Sequence, residues 1–265
     1  MPDRWDTGAV STSRSIDLNA DLGERYEGWK PGDDDTLLEV VTTAHIACGF
    51  HSGDPDVMVE TVRAAAARGV VVGAHPSYPD REGFGRRPMD LGLDQIRAAV
   101  LYQVAALQGI ARAEGTRVVS VKPHGSLYNR MAAEVDCARA IAQAVCLLDP
   151  DVWLVVPAGT PAVEAARTVG VRVAQEAFCD RAYRPDGTLV TRGSVGSVLT
   201  EPDLVSARAV RLALDHCVEA ADGSIVHLVP DTLCLHGDTP GAADLARAVR
   251  SALDGHVEVR SFATG

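Results

Sequence analysis

Lysine is nearly absent from this chain: Lys30 and Lys122 are the only two among 25 basic residues, and all the others are arginine. Acidic residues number 36, so the formal net charge is -11. That balance argues against nucleic acid and anionic membranes as partners, because both require clustered cations. No apolar run approaches the roughly 18 residues needed to span a bilayer. Residues 1–15 are polar, with no apolar stretch of the kind a signal peptide carries. They read as a flexible N-terminal tail, and a cytoplasmic location follows by default. The six cysteines include no C-x-x-C pair, which excludes a zinc knuckle and a thioredoxin-like motif. Core thiols in a reducing compartment are expected. Several nucleotide and catalytic signatures are also missing. There is no G-x-x-x-x-G-K-[ST] phosphate loop, no G-x-G-x-x-G after the first strand, no G-x-S-x-G elbow and no H-E-x-x-H.

What remains is ordinary globular material: 265 residues, 46% hydrophobic and 23% charged. That is enough for a core without disulfide or metal staples. Short β-branched runs fall at 16–20, 44–48, 70–74, 117–122, 152–157, 171–175 and 231–236, with a further run at 225–229. Helical patterns lie between them. Asp54-Pro55 opens a helix over 55–68, with Asp as N-cap and Pro at the first helical position, and Gly69 closes it. Asp94 opens another that runs to about 114. Thr160-Pro161 and Thr239-Pro240 repeat the opening device, and Glu201-Pro202 begins a helix expected to reach about 221. This β-α rhythm, without any linker, predicts parallel strands with helices outside. Seven such units suit a closed or nearly closed barrel over 16–265 better than an open doubly wound sheet.

The chemically capable side chains follow the strands. Asp17, Asn19 and Asp21 lie in IDLNADLGE. His51 follows IACGF, His75 follows VVVGA, and Lys122 and His124 close VVSVKPHG. Glu176, Asp180 and Arg181 come at and after VRVAQ, and His236 and Asp238 lie in TLCLHGD. In a βα barrel the carboxyl ends of parallel strands converge on one mouth, where active sites are built. Histidine titrates near neutrality, and a neighbouring carboxylate can orient its ring. The expected catalytic set is therefore Asp21, His51, His75, Lys122, His124, Glu176, Asp180 and His236. Asp17, Asn19, Arg86, Arg87, Asn129, Arg181 and Asp238 are expected to bind substrate. Arg86 and Arg87, on the Gly-rich turn GFGRR, suit an anionic group, although a solvated turn explains them equally well. Asp17 could instead face the barrel interior or cap a turn. Lys122 ends an apolar strand and reads as a charge in the mouth. Replacing it by Met, which keeps the stem, is expected to leave stability little changed.

The stretches IDLNADLGE, IACGFHSGDPDVM, GAHPSYPD with GFGRR, KPHGSLYN, DRAYRPDGTLVTR and CLHGD resemble the LamB/YcsF family. They run in fixed order from residue 16 to about 238. Ser126 and Cys179 stand where that family's pattern has alanine, and neither difference changes a charged residue. The resemblance implies a distorted seven-stranded βα barrel similar to the glycoside hydrolase and deacetylase superfamily. It also implies service as the A subunit of an ATP-dependent 5-oxoprolinase, working with subunits B and C. The lactam of 5-oxo-L-proline is opened to L-glutamate at the expense of ATP. With no phosphate loop in this chain, ATP is expected to bind largely on the partner subunits. Homo-oligomerisation is compatible with this reading. Two rivals stand beside it. One is a free-standing deacetylase-like hydrolase using a divalent metal held by Asp21, His51 and His75. The other is a non-catalytic subunit that presents substrate.

Overall fold

Alternation along the first strand decides which groups enter the barrel. A computed structural model describes residues 14–26, 32–237 and 241–264. Within β1 (Ser15–Leu22), residues of one parity point inward and those of the other outward, as the two-residue repeat of a strand requires. Asp17, Asn19 and Asp21 therefore share a face. Leu18, Ala20 and Leu22, all fully buried, share the face that meets the helices.

Six more strands complete the barrel: β2 (Thr43–Ala47), β3 (Val71–His75), β4 (Val118–Val121), β5 (Trp153–Pro157), β6 (Arg172–Phe178) and β9 (Thr232–Leu235). They pair in parallel in the order β1-β2-β3-β4-β5-β6-β9, and β9 returns to β1 through Asp17↔Thr232 and Asn19↔Cys234. The fold is a closed seven-stranded parallel barrel. A short β10 (Glu258–Val259) adds to the start of β1, outside the closure. β1 begins at Ser15, and residues 1–13 of the expected tail lie outside the described residues.

The surrounding helices are α1 (Asp34–Leu38), α2 (Pro55–Ala67), α3 (Leu93–Ala113), α4 (Gly125–Ala133), α5 (Val135–Leu148), α6 (Pro161–Val169), α7 (Pro202–Asp215) and α8 (Ala242–Asp254). Asp54 caps α2 as its sequence predicts, its side chain accepting from the Val57 amide at 2.8 Å. Thr160 does not cap α6, because its hydroxyl donates to the Pro157 carbonyl at 2.8 Å. The Thr239-Pro240 opening lies outside the described residues. The helix expected to reach 221 stops at Asp215. His216 takes the left-handed conformation (φ 54°), and β7 (Cys217–Glu219) then pairs antiparallel with β8 (Ile225–His227). The run at 225–229 is thus half of a hairpin outside the barrel. The core lies between barrel and helices, around residues such as Leu18, Ile46, Val62, Leu107, Ile141, Leu154, Leu212 and Leu253. All six cysteines are free thiols, five of them buried. No helix among the described residues is long and apolar enough to cross a membrane.

Candidate active site

Barrels of this kind usually fill their interior with branched apolar side chains. This one fills much of it with polar groups, stacked from the amino end of the strands to the carboxyl end. At the lower level, Asp17 on β1 accepts from Thr42 (2.7 Å) and Thr43 (2.6 Å) and also from Thr232. Burial pushes its carboxyl up to about 6, against the pull of those three hydroxyls. Asn19, one step higher, donates to Glu176 (3.0 Å) and Thr232 (2.7 Å), and its carbonyl oxygen meets His45 Nδ1 at 3.1 Å. His45 reaches Ser120 through Nε2 at 3.1 Å. A side chain at residue 73 cannot fit beside that contact: a Cβ there would lie 2.4 Å from His45 and 2.5 Å from Ser120, which explains Gly73.

The middle level is built around Lys122, which is 2% exposed. Its ammonium lies 3.0 Å from Asn19 Oδ1, 3.0 Å from Glu176 Oε1, 3.2 Å from Cys234 Sγ and 2.7 Å from Asp21 Oδ1. Burial opposes its charge, but Asp21, Cys234 and Glu176 together hold the ammonium well above the usual lysine range. Burial alone raises the Asp21 carboxyl as well, yet His75 and Lys122 outweigh it and hold that group well below the usual carboxylate range. Tyr128, on α4, donates to the second Glu176 oxygen at 2.7 Å. To one side, Asp180 accepts from His236 Nδ1 at 2.9 Å and from its backbone amide at 3.2 Å. Burial raises the Asp180 carboxyl, and His236 more than reverses that. Asp180 thus fixes the tautomer of His236, leaving Nε2 to take or give a proton.

Three histidines and Glu24 form the top level. The His51 and His124 rings stack at 3.8 Å with an interplanar angle of 3°, and His75 stands edge-on to both. His51 Nε2 lies 3.0 Å from Glu24 Oε1. Burial first, then neighbouring imidazoles, holds His51 and His124 well below the usual histidine range, so both are neutral. The turn Gly83–Arg87 covers this cluster. Phe84 packs edge-on against both rings, and Gly85 is left-handed (φ 64°), where a Cβ would lie 2.8 Å from His124 and 2.9 Å from His51. Only glycine permits this approach.

The structure therefore brings Asp17, Asn19, Asp21, His51, His75, Lys122, His124 and Glu176 into one network, with the Asp180–His236 pair beside it. Other expected residues fall elsewhere. Arg87 is drawn to Asp80, with Nε 2.7 Å from Oδ1. Arg86 is exposed with its guanidinium 4.8 Å from the Phe84 ring, at the rim of the covered cluster. Asn129 is exposed on α4, next to the buried Tyr128 that does reach the site. Arg181 is occupied by the carbonyls of Ser197 (3.1 Å) and Val190 (2.8 Å), pinning the segment after β6. Asp238 and Lys30 lie outside the described residues. Sequence reasoning passed over Glu24, His45, Tyr128 and Cys234. Glu24 was visible in DLGE, and His45 holds an inward position two residues before Ala47. Tyr128 and Cys234 carry no signal apart from their neighbours.

Residues 16–264 match the model of the LamB/YcsF family. A protein of Methylococcus capsulatus, named as the A subunit of 5-oxoprolinase, is 54% identical over 91% of this chain and 93% of its own. A counterpart in Acinetobacter baylyi, of the same name, is 49% identical over 93% of this chain and 98% of its own. The crystal structure of a lactam utilization protein from Thermus thermophilus covers 94% of this chain and 100% of its own, at 48% identity and a TM-score of 0.88. The catalytic domain of a peptidoglycan N-acetylglucosamine deacetylase from Eubacterium rectale, 12% identical, shares the fold at a TM-score of 0.50, covering 95% of this chain and 90% of its own.

Proposed function

The chain belongs to the LamB/YcsF family, and from that premise we propose that it is the A subunit of a cytoplasmic, ATP-dependent 5-oxoprolinase. It opens the lactam of 5-oxo-L-proline to L-glutamate together with subunits B and C. The observation that carries this reading is the buried Asp21–Lys122–Glu176 network beside the Asp180–His236 pair, in a chain about half identical to relatives bearing that name.

A lactam is a poor electrophile. Phosphorylation of its oxygen by ATP turns that oxygen into a leaving group. Water then adds to the ring carbon and a base takes its proton, the C–N bond breaks as the ring nitrogen takes up a proton, and a second water hydrolyses the resulting acyl phosphate to carboxylate and phosphate. His236, with Nδ1–H held by Asp180, serves as the base. Asp21 and Lys122 handle the proton and the charge on the opposite side. Lys122 is a fixed cation beside the oxygen that gains charge, and Tyr128 and Asn19 keep Glu176 directed at it. ATP binds on the partner subunits, since this chain carries no recognisable phosphate loop. The isolated chain is expected to bind ATP no better than about millimolar.

The test is reconstitution with the partner subunits, ATP and 5-oxoproline, following glutamate release. Asp21→Asn and His236→Gln should each lower kcat by roughly a hundredfold or more, with circular dichroism unchanged. Full turnover in both variants would instead mean that the chain only presents substrate. Glutamate release by the isolated chain would overturn the division of labour.

A further inference from the structure

The tautomers of His75 and His124 are dictated by their backbone partners. His75 Nδ1 lies 2.7 Å from the Lys122 carbonyl oxygen, and His124 Nε2 lies 2.8 Å from the Phe84 carbonyl oxygen. A carbonyl oxygen only accepts, so both of these nitrogens must carry hydrogen. The remaining nitrogens, His75 Nε2 and His124 Nδ1, are the ones whose lone pairs are open to a proton or a metal ion. These two atoms face each other at 3.0 Å. Two lone pairs at that distance repel unless something positive joins them. Glu24 Oε1 is the third corner, 3.4 Å from His124 Nδ1 and 4.0 Å from His75 Nε2.

The triangle has the dimensions of a metal site. A tetrahedral ion with bonds of about 2.0–2.1 Å holds its ligand atoms about 3.3–3.4 Å apart, and the three separations here are 3.0, 3.4 and 4.0 Å. Ligand atoms of Glu24, His51, His75 and His124 all fall within 4.8 Å of one another. Each metal-facing imidazole donates its other N–H to a backbone carbonyl, the arrangement that orients histidine ligands in metalloproteins. Asp21 Oδ2, 3.3 Å from His75 Nε2, borders the open side. A second group, Asp21, Cys234 and His236, also gathers within 4.8 Å. There the Lys122 ammonium already occupies the cation's place, 2.7 Å from Asp21 and 3.2 Å from Cys234.

The geometry points to a divalent transition-metal site formed by Glu24, His75 and His124, with His51 holding the Glu24 carboxylate and Asp21 beside the open coordination position. Two imidazoles and one carboxylate suit zinc or a neighbouring first-row ion rather than magnesium or calcium, which take oxygen ligands. The ligand set differs from Asp21, His51 and His75, because Asp21 is committed to Lys122 and His51 faces Glu24. The proposal is independent of which substrate the barrel takes.

The full-length chain, stripped with a chelator, is titrated with Zn2+ by calorimetry and with Co2+ by visible absorption. One equivalent should bind at micromolar affinity or tighter. The cobalt spectrum should be that of a nitrogen and oxygen site without thiolate charge transfer. Glu24→Gln and His124→Asn should each weaken binding by about a hundredfold, while His236→Asn binds like the wild type. The unmodified protein's cobalt spectrum is informative even where a variant fails to fold. No saturable binding below about millimolar, thiolate bands, or equal binding by folded Glu24→Gln and His124→Asn variants would overturn the site. A proton shared by His75 and His124 would then be what joins them.

Discussion

Replacing Lys122 by Met tests how the interior is held together. The stem is preserved, so packing alone predicts little change. The surroundings predict otherwise. The ammonium is shared by Asp21 at 2.7 Å and Glu176 at 3.0 Å, and the side chains of all three are at most 9% exposed. Met leaves both carboxylates facing a space that water barely reaches. Removing one partner of a buried ion pair costs about 3–5 kcal/mol, because the charge left behind keeps its desolvation penalty. For a domain of this size, 1 kcal/mol corresponds to roughly 2 °C, so the melting temperature should fall by roughly 6–10 °C. Urea unfolding at pH 7, followed by circular dichroism, measures the difference. Adding Glu176→Gln to the Met variant removes one unbalanced charge and should recover part of the loss, a coupling of about 1–3 kcal/mol. A Lys122→Met protein within about 1 kcal/mol of wild type would refute the reasoning and reduce the lysine to an apolar stem.

Asp17 should leave a pH signature. Its carboxyl rises from 3.8 to about 6 on folding, so between those values the folded chain holds a proton that the unfolded chain has released. Its contribution to stability therefore falls as pH rises through that window, by about 3 kcal/mol in all at about 1.4 kcal/mol per unit. Measured by urea unfolding, Asp17→Asn should gain on the wild type by up to that amount across the window, and a pH-independent difference contradicts it. Gly85→Ala should disturb the cover of the histidine cluster and lower kcat of the reconstituted complex at least about tenfold, since its methyl group meets His124 and His51. Gly109→Ala, a helix site with nothing within 4 Å, is the control and should be stabilised by up to about 1 kcal/mol. Equal activity in the two alanine variants would remove any role for the cover.

The parts of the fold written in local pattern were legible in the chain. Each of the seven barrel strands falls within a few residues of a β-branched run, and Asp54-Pro55 marks the start of α2 without ambiguity. What escaped depends on contacts distant in sequence. Nothing near residue 216 says that the helix stops there. His216 turns left-handed, and the β7–β8 hairpin follows. The site shows the same division. Asp21, Lys122 and the strand-end histidines could be read because the chain must place strand ends together. Tyr128 could not, because its partner Glu176 is 48 residues away. Arg87 misled for the converse reason: a basic residue on a glycine-rich turn looks like an anion clamp until Asp80, seven residues earlier, is seen to hold it.

Charge inside the barrel bears on how a substrate must lie. The network contains the carboxyls of Asp17, Asp21, Glu24 and Glu176, with Asp180 beside it, and Lys122 is the buried ammonium that Asp21 and Glu176 share. Asp17 accepts from three hydroxyls and keeps its proton only below about pH 6, and Asp180 accepts from the His236 ring and backbone amide. Lys122 serves Asp21 and Glu176 together. An anion pushed into this column meets the Asp21 and Glu176 carboxylates, which share one ammonium, and each unbalanced unit of charge costs about 4 kcal/mol at 4 Å with an effective dielectric constant near 20. In the proposed reaction, 5-oxoproline carries a carboxylate at one end and a neutral lactam at the other. The lactam is the end that can enter. In that reaction the carboxylate then stays towards the rim, on the side of the Gly83–Arg87 turn that covers the His51–His124 stack. On that proposal the lactam end lies towards Asp21, Cys234 and His236, whose polar atoms gather within 4.8 Å of one another.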